Sequence, residues 1–143
     1  MSKFKFIDLF SGIGGFRIPL EKLGGNCVAY SEIDKHAIDV YRKNFNTNNE
    51  TFLGDITKVK KTPNADLIVG GVPCQAWSVA GKKKGFDDPR GKLWKDTIRL
   101  IRINKPKTFI FENVKGLLHS RWNAKGEKGE IWKDVFKTFK NLD

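Results

Sequence analysis

A parallel α/β sheet with flanking helices is the fold this sequence predicts. Two observations carry it: short apolar runs alternate with longer amphipathic ones, and a glycine-rich turn follows the first apolar run. Phe4 to Leu9 is the first strand, and Ser11-Gly12-Ile13-Gly14-Gly15 is a tight turn opening a helix that runs to about Leu23. Asn26 to Ser31 (NCVAYS) is the second strand. Lys35 to Phe45 is the second helix, with apolar Ala37, Ile38, Val40, Tyr41 and Phe45 along it. A short third strand lies near Thr51 to Leu53. Asp66 to Gly70 (DLIVG) has the continuous apolar character of a strand buried on both faces, and Thr108 to Glu112 (TFIFE) is a fifth strand, with Leu93 to Ile103 as the helix between them. Residues 71 to 92 form a long polar, glycine-containing, basic loop, and loops of that length in compact domains usually have a function. Ile131 to Leu142 reads as a helix with no strand after it, so the sheet is expected to be incomplete.

Composition narrows the class. A chain of 143 residues fits one domain, and 39% hydrophobic with 30% charged residues argues against disorder, collagen-like repeats and a membrane protein. No apolar run approaches the roughly 18 residues that span a bilayer. The amino terminus, MSKFKFIDLF, runs into acidic Asp8 without a small-residue cleavage site, so it reads as a strand rather than a signal peptide, and a cytoplasmic location is expected. Two cysteines, Cys27 and Cys74, are too few for a disulfide framework or a four-thiolate zinc site. His36 and His119 lack metal-ligand spacing, and no metal is expected. The 27 Lys and Arg against 16 Asp and Glu give a net charge of +11, which suits a polyanionic partner such as nucleic acid. Lys82, Lys83, Lys84, Arg90, Lys92 and Lys95 cluster in one segment. A solvated Lys-rich surface accounts for the same charge equally well.

In open parallel sheets, ligands bind outside the carboxyl ends of the strands, so the residues just after each strand are the candidates for a site. After the first comes DLFSGIGGF (Asp8 to Phe16), whose Gly12, Gly14 and Gly15 let backbone approach a ligand closely at a helix start. After the second, Glu32 lies about 20 residues beyond the first glycine, where an acidic side chain commonly accepts from a ribose hydroxyl. Together they point to a nucleoside-bearing cofactor; a structural glycine turn with an exposed Glu is the plainer alternative. Asp55, in LGDIT beyond the third strand, suits an acceptor for an adenine amino group, and an exposed Asp accounts for it equally well. After the fourth strand comes GGVPCQAWS (Gly70 to Ser78), in which Pro73 fixes the backbone ahead of Cys74. Cys27, inside a strand, reads as an inert core thiol. Cys74 sits on a loop among polar and basic residues, which favour the nucleophilic thiolate. After the fifth comes FENV (Phe111 to Val114); a carboxyl ending an apolar strand is expected to be half-buried, and desolvation favours its proton-donating form. Cys74 and Glu112 are expected to converge on one pocket. Trp94, Trp122 and Trp132 read as core anchors, while Trp77 is the one tryptophan on the Cys74 loop.

The set DLFSGIGGF, Glu32 in SEID, GDIT at Gly54 to Thr57, GVPCQAWSVAGKKKGFDDPRGKLW at Gly71 to Trp94 and ENV at Glu112 to Val114 resembles the DNA cytosine-5 methyltransferase family in order and spacing, over almost the whole chain from Lys3 onward. The resemblance implies a Rossmann-like methyltransferase fold and an S-adenosylmethionine site lined by Phe10, Gly12, Ile13, Gly14, Glu32, Ile33, Asp55, Ile56 and Pro73. Ile33 stands where many members carry an aromatic residue against the adenine. It further implies Cys74 as nucleophile toward carbon 6 of a flipped-out cytosine in double-stranded DNA and Glu112 as the acid at ring nitrogen 3. Gln75 would lie near the vacated stack, Ser78, Lys82 and Arg90 near the DNA backbone, and Asn113 would orient the loop around Cys74.

Members of the family continue with a Gln-x-Arg-x-Arg segment, a target-recognition domain and a closing segment. Residues 1 to 143 are therefore expected to be the amino-terminal part of a catalytic domain, inactive alone and complemented by a second subunit, within a restriction-modification system. An inactive fragment, or a non-catalytic cofactor- or DNA-binding module, is the alternative. A nicotinamide oxidoreductase would share the glycine turn but leaves the Pro-Cys-Gln loop unexplained.

Overall fold

The computed structural model describes residues 2–73, 93–113, 136, 137 and 140. Five strands form one sheet: β1 (Phe4–Leu9), β2 (Gly25–Tyr30), β3 (Thr51–Phe52), β4 (Leu67–Gly71) and β5 (Thr108–Glu112), in the order β3-β2-β1-β4-β5. β1 pairs in parallel with both β2 and β4, and β2 in parallel with β3. The chain thus winds outward from β1 to β3, then returns to β1's other side for β4. In doubly wound sheets such a reversal marks the carboxyl-end edge where ligands bind.

The apolar runs become the strands because they are covered on both faces. Phe6, Ile7, Asp8 and Leu9 in β1 and Ile68 and Val69 in β4 have no exposed surface. β2 slips one residue against β1 between Phe6 and Ile7, which brings Asp8 opposite Tyr30. The helices are α1 (Arg17–Lys22), α2 (Lys35–Asn44) and α3 (Leu93–Asn104). The helix expected to follow directly from the glycine turn begins only at Arg17, since Gly12 and Gly14 take positive φ and end helical geometry. At α2 the cap is readable: the Asp34 carboxylate accepts from the His36 and Ala37 N–H groups, both at 2.9 Å. α3 ends at Lys105, a left-handed residue whose N–H returns to the Ile101 carbonyl at 2.8 Å.

Met1–Gly71 with Leu100–Phe111 forms one compact unit, and Val72–Arg99 with Glu112–Asp143 a second. In the first, Phe6, Leu20, Cys27, Tyr30, Tyr41, Leu67 and Val69 make the core, with Phe4, Phe16 and Phe45 packed on it. The Tyr30 and Tyr41 rings stack with centroids 4.6 Å apart. In the second, Trp94, Thr97 and Ile98 are buried, so Trp94 is a core anchor as its sequence suggested. Among the described residues no helix is long and apolar enough to cross a membrane. The loop after β4 from residue 74 to 92, the helix expected from Ile131 to Leu142, His119, Trp77, Trp122 and Trp132 fall almost wholly outside the described residues.

Candidate cofactor-binding edge and the β4 and β5 ends

Leaving β1, the backbone turns at Phe10 into the left-handed region, at φ 53, a conformation costly for an aromatic residue. Hydrogen bonds to the end of β2 hold it there. The Phe10 N–H donates to Ser31 Oγ at 3.2 Å and the Ser11 N–H to the Ser31 carbonyl at 2.9 Å, while the Ser31 N–H donates to the Asp8 carbonyl at 2.9 Å. Glu32 completes the lacing: its Oε2 accepts from the Gly12 N–H at 2.9 Å, and its Oε1 from the Ile33 and Asp34 N–H groups at 2.7 and 3.0 Å. Three backbone donors fix the carboxylate, and the lone pair left on Oε2 remains free for a hydroxyl.

The two glycines of the turn differ in what surrounds them. At Gly12 a Cβ would meet nothing within 4 Å among the described residues, so that backbone is open toward them. At Gly14, with φ 98, a Cβ would run into Cε2 and Cζ of Phe45, and only glycine fits. Ile13 and Ile33 are 62% and 73% exposed, leaving apolar side chains at this edge. Asp55 caps the 3-10 turn Ile56–Lys58, accepting from the Thr57 hydroxyl at 2.8 Å and the Thr57 N–H at 3.0 Å. The hydroxyl bond first, then the backbone bond, holds its carboxyl below the usual range. The Ile56 side chain points inward and is buried.

In the second unit the residues that follow β4 and β5, Val72 and Asn113, meet. Asn113 Nδ2 donates to the Val72 carbonyl at 2.8 Å, so half-buried Pro73 and Glu112 each lie one residue from that bond. Glu112 itself is exposed, against the half-burial expected from the apolar run before it. Its strand lies last in the sheet order, and its residues alternate between exposed and half-buried. Cys74, Gln75, Ser78, Lys82 and Arg90 lie outside the described residues.

A buried polar cluster beneath the turn went unread in the sequence. Asp8 is fully buried; its Oδ2 accepts from the Tyr41 hydroxyl at 3.2 Å and its Oδ1 has no partner among the described residues. Burial pushes this carboxyl up to about 7. Cys27 donates to the Ala29 carbonyl at 3.4 Å, and burial pushes its thiol up to about 12, in keeping with an inert core thiol. Arg17, Glu21 and Glu50 complete the cluster. Asp8 stood out as an acid within an apolar run; nothing in spacing or periodicity marked Arg17 or Glu50.

The sequence matches the C-5 cytosine-specific DNA methylase family over residues 4–143. It is 63% identical over 122 residues to the Type II methyltransferase M.HgiCII of Herpetosiphon aurantiacus, covering 85% of this chain and 28% of that protein. It is 45% identical over 141 residues to the Type II methyltransferase M.HhaI of Haemophilus parahaemolyticus, covering 97% of this chain and 40% of that one. Among solved structures, a DNMT2 variant from Spodoptera frugiperda is similar with a TM-score of 0.63 and 28% identity, over 94% of this chain and 40% of that chain. This chain therefore spans well under half the length of these relatives.

Proposed function

The chain belongs to the C-5 cytosine-specific DNA methylase family, and we propose that it is the cofactor-binding and nucleophile-bearing part of a DNA cytosine-5 methyltransferase of a restriction-modification system. Residues 1–143 are then the amino-terminal part of the catalytic domain, and target recognition resides on polypeptide beyond them or on a second subunit. The observation that carries this reading is the Glu32 carboxylate, held by three backbone N–H groups at the carboxyl edge where the strand order reverses.

That edge suits S-adenosylmethionine. Open space at Gly12 admits a ligand against backbone, the free lone pair of Glu32 Oε2 accepts a ribose hydroxyl, and Asp55, ionised and capped, accepts an adenine amino group. Phe10, Ile13, Gly14 and Ile33 would line the rest, and buried Ile56 seats the turn that carries Asp55. When bound, the cofactor supplies an electrophilic methyl group on sulfur.

Cytosine carbon 5 is a weak nucleophile, and two groups of this chain would activate it. The Cys74 thiolate adds to carbon 6, and the electrons of the 5,6 double bond move toward carbon 5 while Glu112 donates a proton or hydrogen bond at ring nitrogen 3. After methylation, loss of the carbon 5 proton expels Cys74 and restores the ring. The base must leave the duplex for this, at a cost of a few kcal/mol, and Gln75, Ser78, Lys82 and Arg90 would hold the opened DNA while Asn113 steadies the Cys74 loop through Val72.

The exposure of Glu112 favours a second form of the reading, in which this chain alone binds cofactor and performs no chemistry until another segment covers that carboxyl. Calorimetric titration with S-adenosylmethionine, with Glu32→Ala as control, followed by trapping on duplex DNA containing 5-fluorocytosine, separates the two. Binding with a Cys74-dependent adduct supports the full reaction, and binding without one supports the second form. No binding by folded protein removes both.

A further inference from the structure

We infer that Arg17 is a positioning residue for the cofactor-binding turn, acting through Phe45 on Gly14; the inference rests on the cofactor reading above. Arg17 opens α1 only three residues after Gly14, and it is 3% exposed. A guanidinium that far from water needs its donors used. Nη1 and Nη2 form a fork on the Glu50 carboxylate at 2.8 and 2.6 Å, and Nε donates to Glu21 Oε1 at 2.7 Å. Nη1 also donates to the Tyr41 hydroxyl at 3.3 Å. Burial disfavours the charge, but these bonds outweigh it and hold Arg17 firmly protonated.

The position of the guanidinium matters more than its charge. It lies over the Phe45 ring, 4.4 Å from the centroid, and the same ring fills the space that a side chain at Gly14 would need. Gly14 backbone, Phe45 ring and Arg17 guanidinium therefore form one stack. Its outer member is fixed by Glu50, whose side chain is buried and which immediately precedes β3. Apolar residues of similar volume often stabilise a core as well as a buried ion pair does. A bidentate pair adds a fixed distance and plane, which is what a turn presenting backbone to a ligand requires.

On the cofactor reading Glu32 and Asp55 serve the nucleoside, which leaves the turn to the amino-acid end, so displacing the stack should act unequally on the two ends. The test measures binding of S-adenosylhomocysteine and of adenosine to the full chain by calorimetry, at a temperature where circular dichroism shows each variant folded. Arg17→Met and Glu50→Gln are expected to weaken S-adenosylhomocysteine by about tenfold more than adenosine. The amide resonances of Gly12 and Gly14 should move in both variants. A purely structural role, expressed as fewer folded molecules, lowers both affinities by one factor and leaves their ratio unchanged, which overturns the inference. Where Arg17→Met does not fold, Phe45→Leu keeps the ion pair and must still change the ratio for the inference to stand. Wild-type protein that binds neither ligand overturns the cofactor reading, and this inference with it.

Discussion

Replacing Asp8 by Asn isolates the cost of burying a carboxylate beneath the turn. Burial is the main cause of its rise from 3.8 to about 7; the Tyr41 hydroxyl and the Arg17 charge offset it, and Glu32 and Glu50 reinforce it. An acid with a raised value in the folded protein keeps a proton there that the unfolded chain has lost. The stability from that proton is fully present below pH 3.8, declines as pH rises, and is gone above about 7. The gap is about 3 units, which at about 1.4 kcal/mol per unit sets a ceiling of about 4 kcal/mol. Asp34, Asp55 and Asp66 have lowered values, so their contributions disappear only as pH falls below the ordinary carboxylate range, and among these four described acids only Asp8 acts between about pH 4 and 7. Urea denaturation at pH 4.5, 6 and 7.5 should show the wild-type midpoint falling across the series and that of Asp8→Asn staying level. The variant should be the more stable protein at pH 7.5. Parallel pH profiles in the two proteins would refute the assignment of that slope to Asp8.

Two further substitutions test the turn itself. Gly14→Ala forces a methyl group against Phe45 at positive φ and should lower stability by about 2–4 kcal/mol, whereas Gly15→Ala, with open space around it, should stay within about 1 kcal/mol in the same thermal melts. Equal losses would remove Phe45 from the explanation. Glu32→Gln exchanges one carboxylate oxygen for an amide nitrogen, so it cannot accept from both Gly12 and the Ile33–Asp34 pair. Calorimetry should show S-adenosylmethionine affinity reduced by about tenfold or more in a protein whose circular dichroism is unchanged.

What the sequence made legible follows from local physics. Strands buried on both faces, as β1 and β4 largely are, read as continuous apolar runs, and β1 to β5 each lie within two residues of their expected bounds. Helix ends were legible where a side chain supplies the cap, as Asp34 does for α2. The glycine turn and Glu32 were legible because 20 residues of a β-α-β unit bring the two strand ends together, and the Gly12–Glu32 hydrogen bond joins them. The ion pair between Arg17 and Glu50 joins residues 33 apart, across segments with no shared periodicity, and only the folded sheet brings them together. The burial of Glu112 was misjudged for a related reason. The run TFIFE has the composition of a covered strand, but coverage depends on position in the sheet, and β5 stands at the end of the order.

The proposed reaction asks one protein to receive a cationic cofactor and a polyanionic duplex, and the sequence carries the charges that attract each in different segments. The candidate cofactor edge of the first unit carries Glu32, Asp34 and Asp55, while the sequence after β4 carries Lys82, Lys83, Lys84, Arg90, Lys92 and Lys95. The two kinds of binding respond to salt differently. The cofactor meets a few acids already occupied by backbone N–H groups, so its affinity should change little between 50 and 200 mM salt. Each lysine that replaces a counterion on DNA adds about 0.9 to the slope of log affinity against log salt, so six contacts would cost roughly a thousandfold over that range. Lys82→Ala should reduce that slope by about one and leave S-adenosylmethionine binding unchanged. An unaltered slope would assign the basic segment to solvent rather than to DNA.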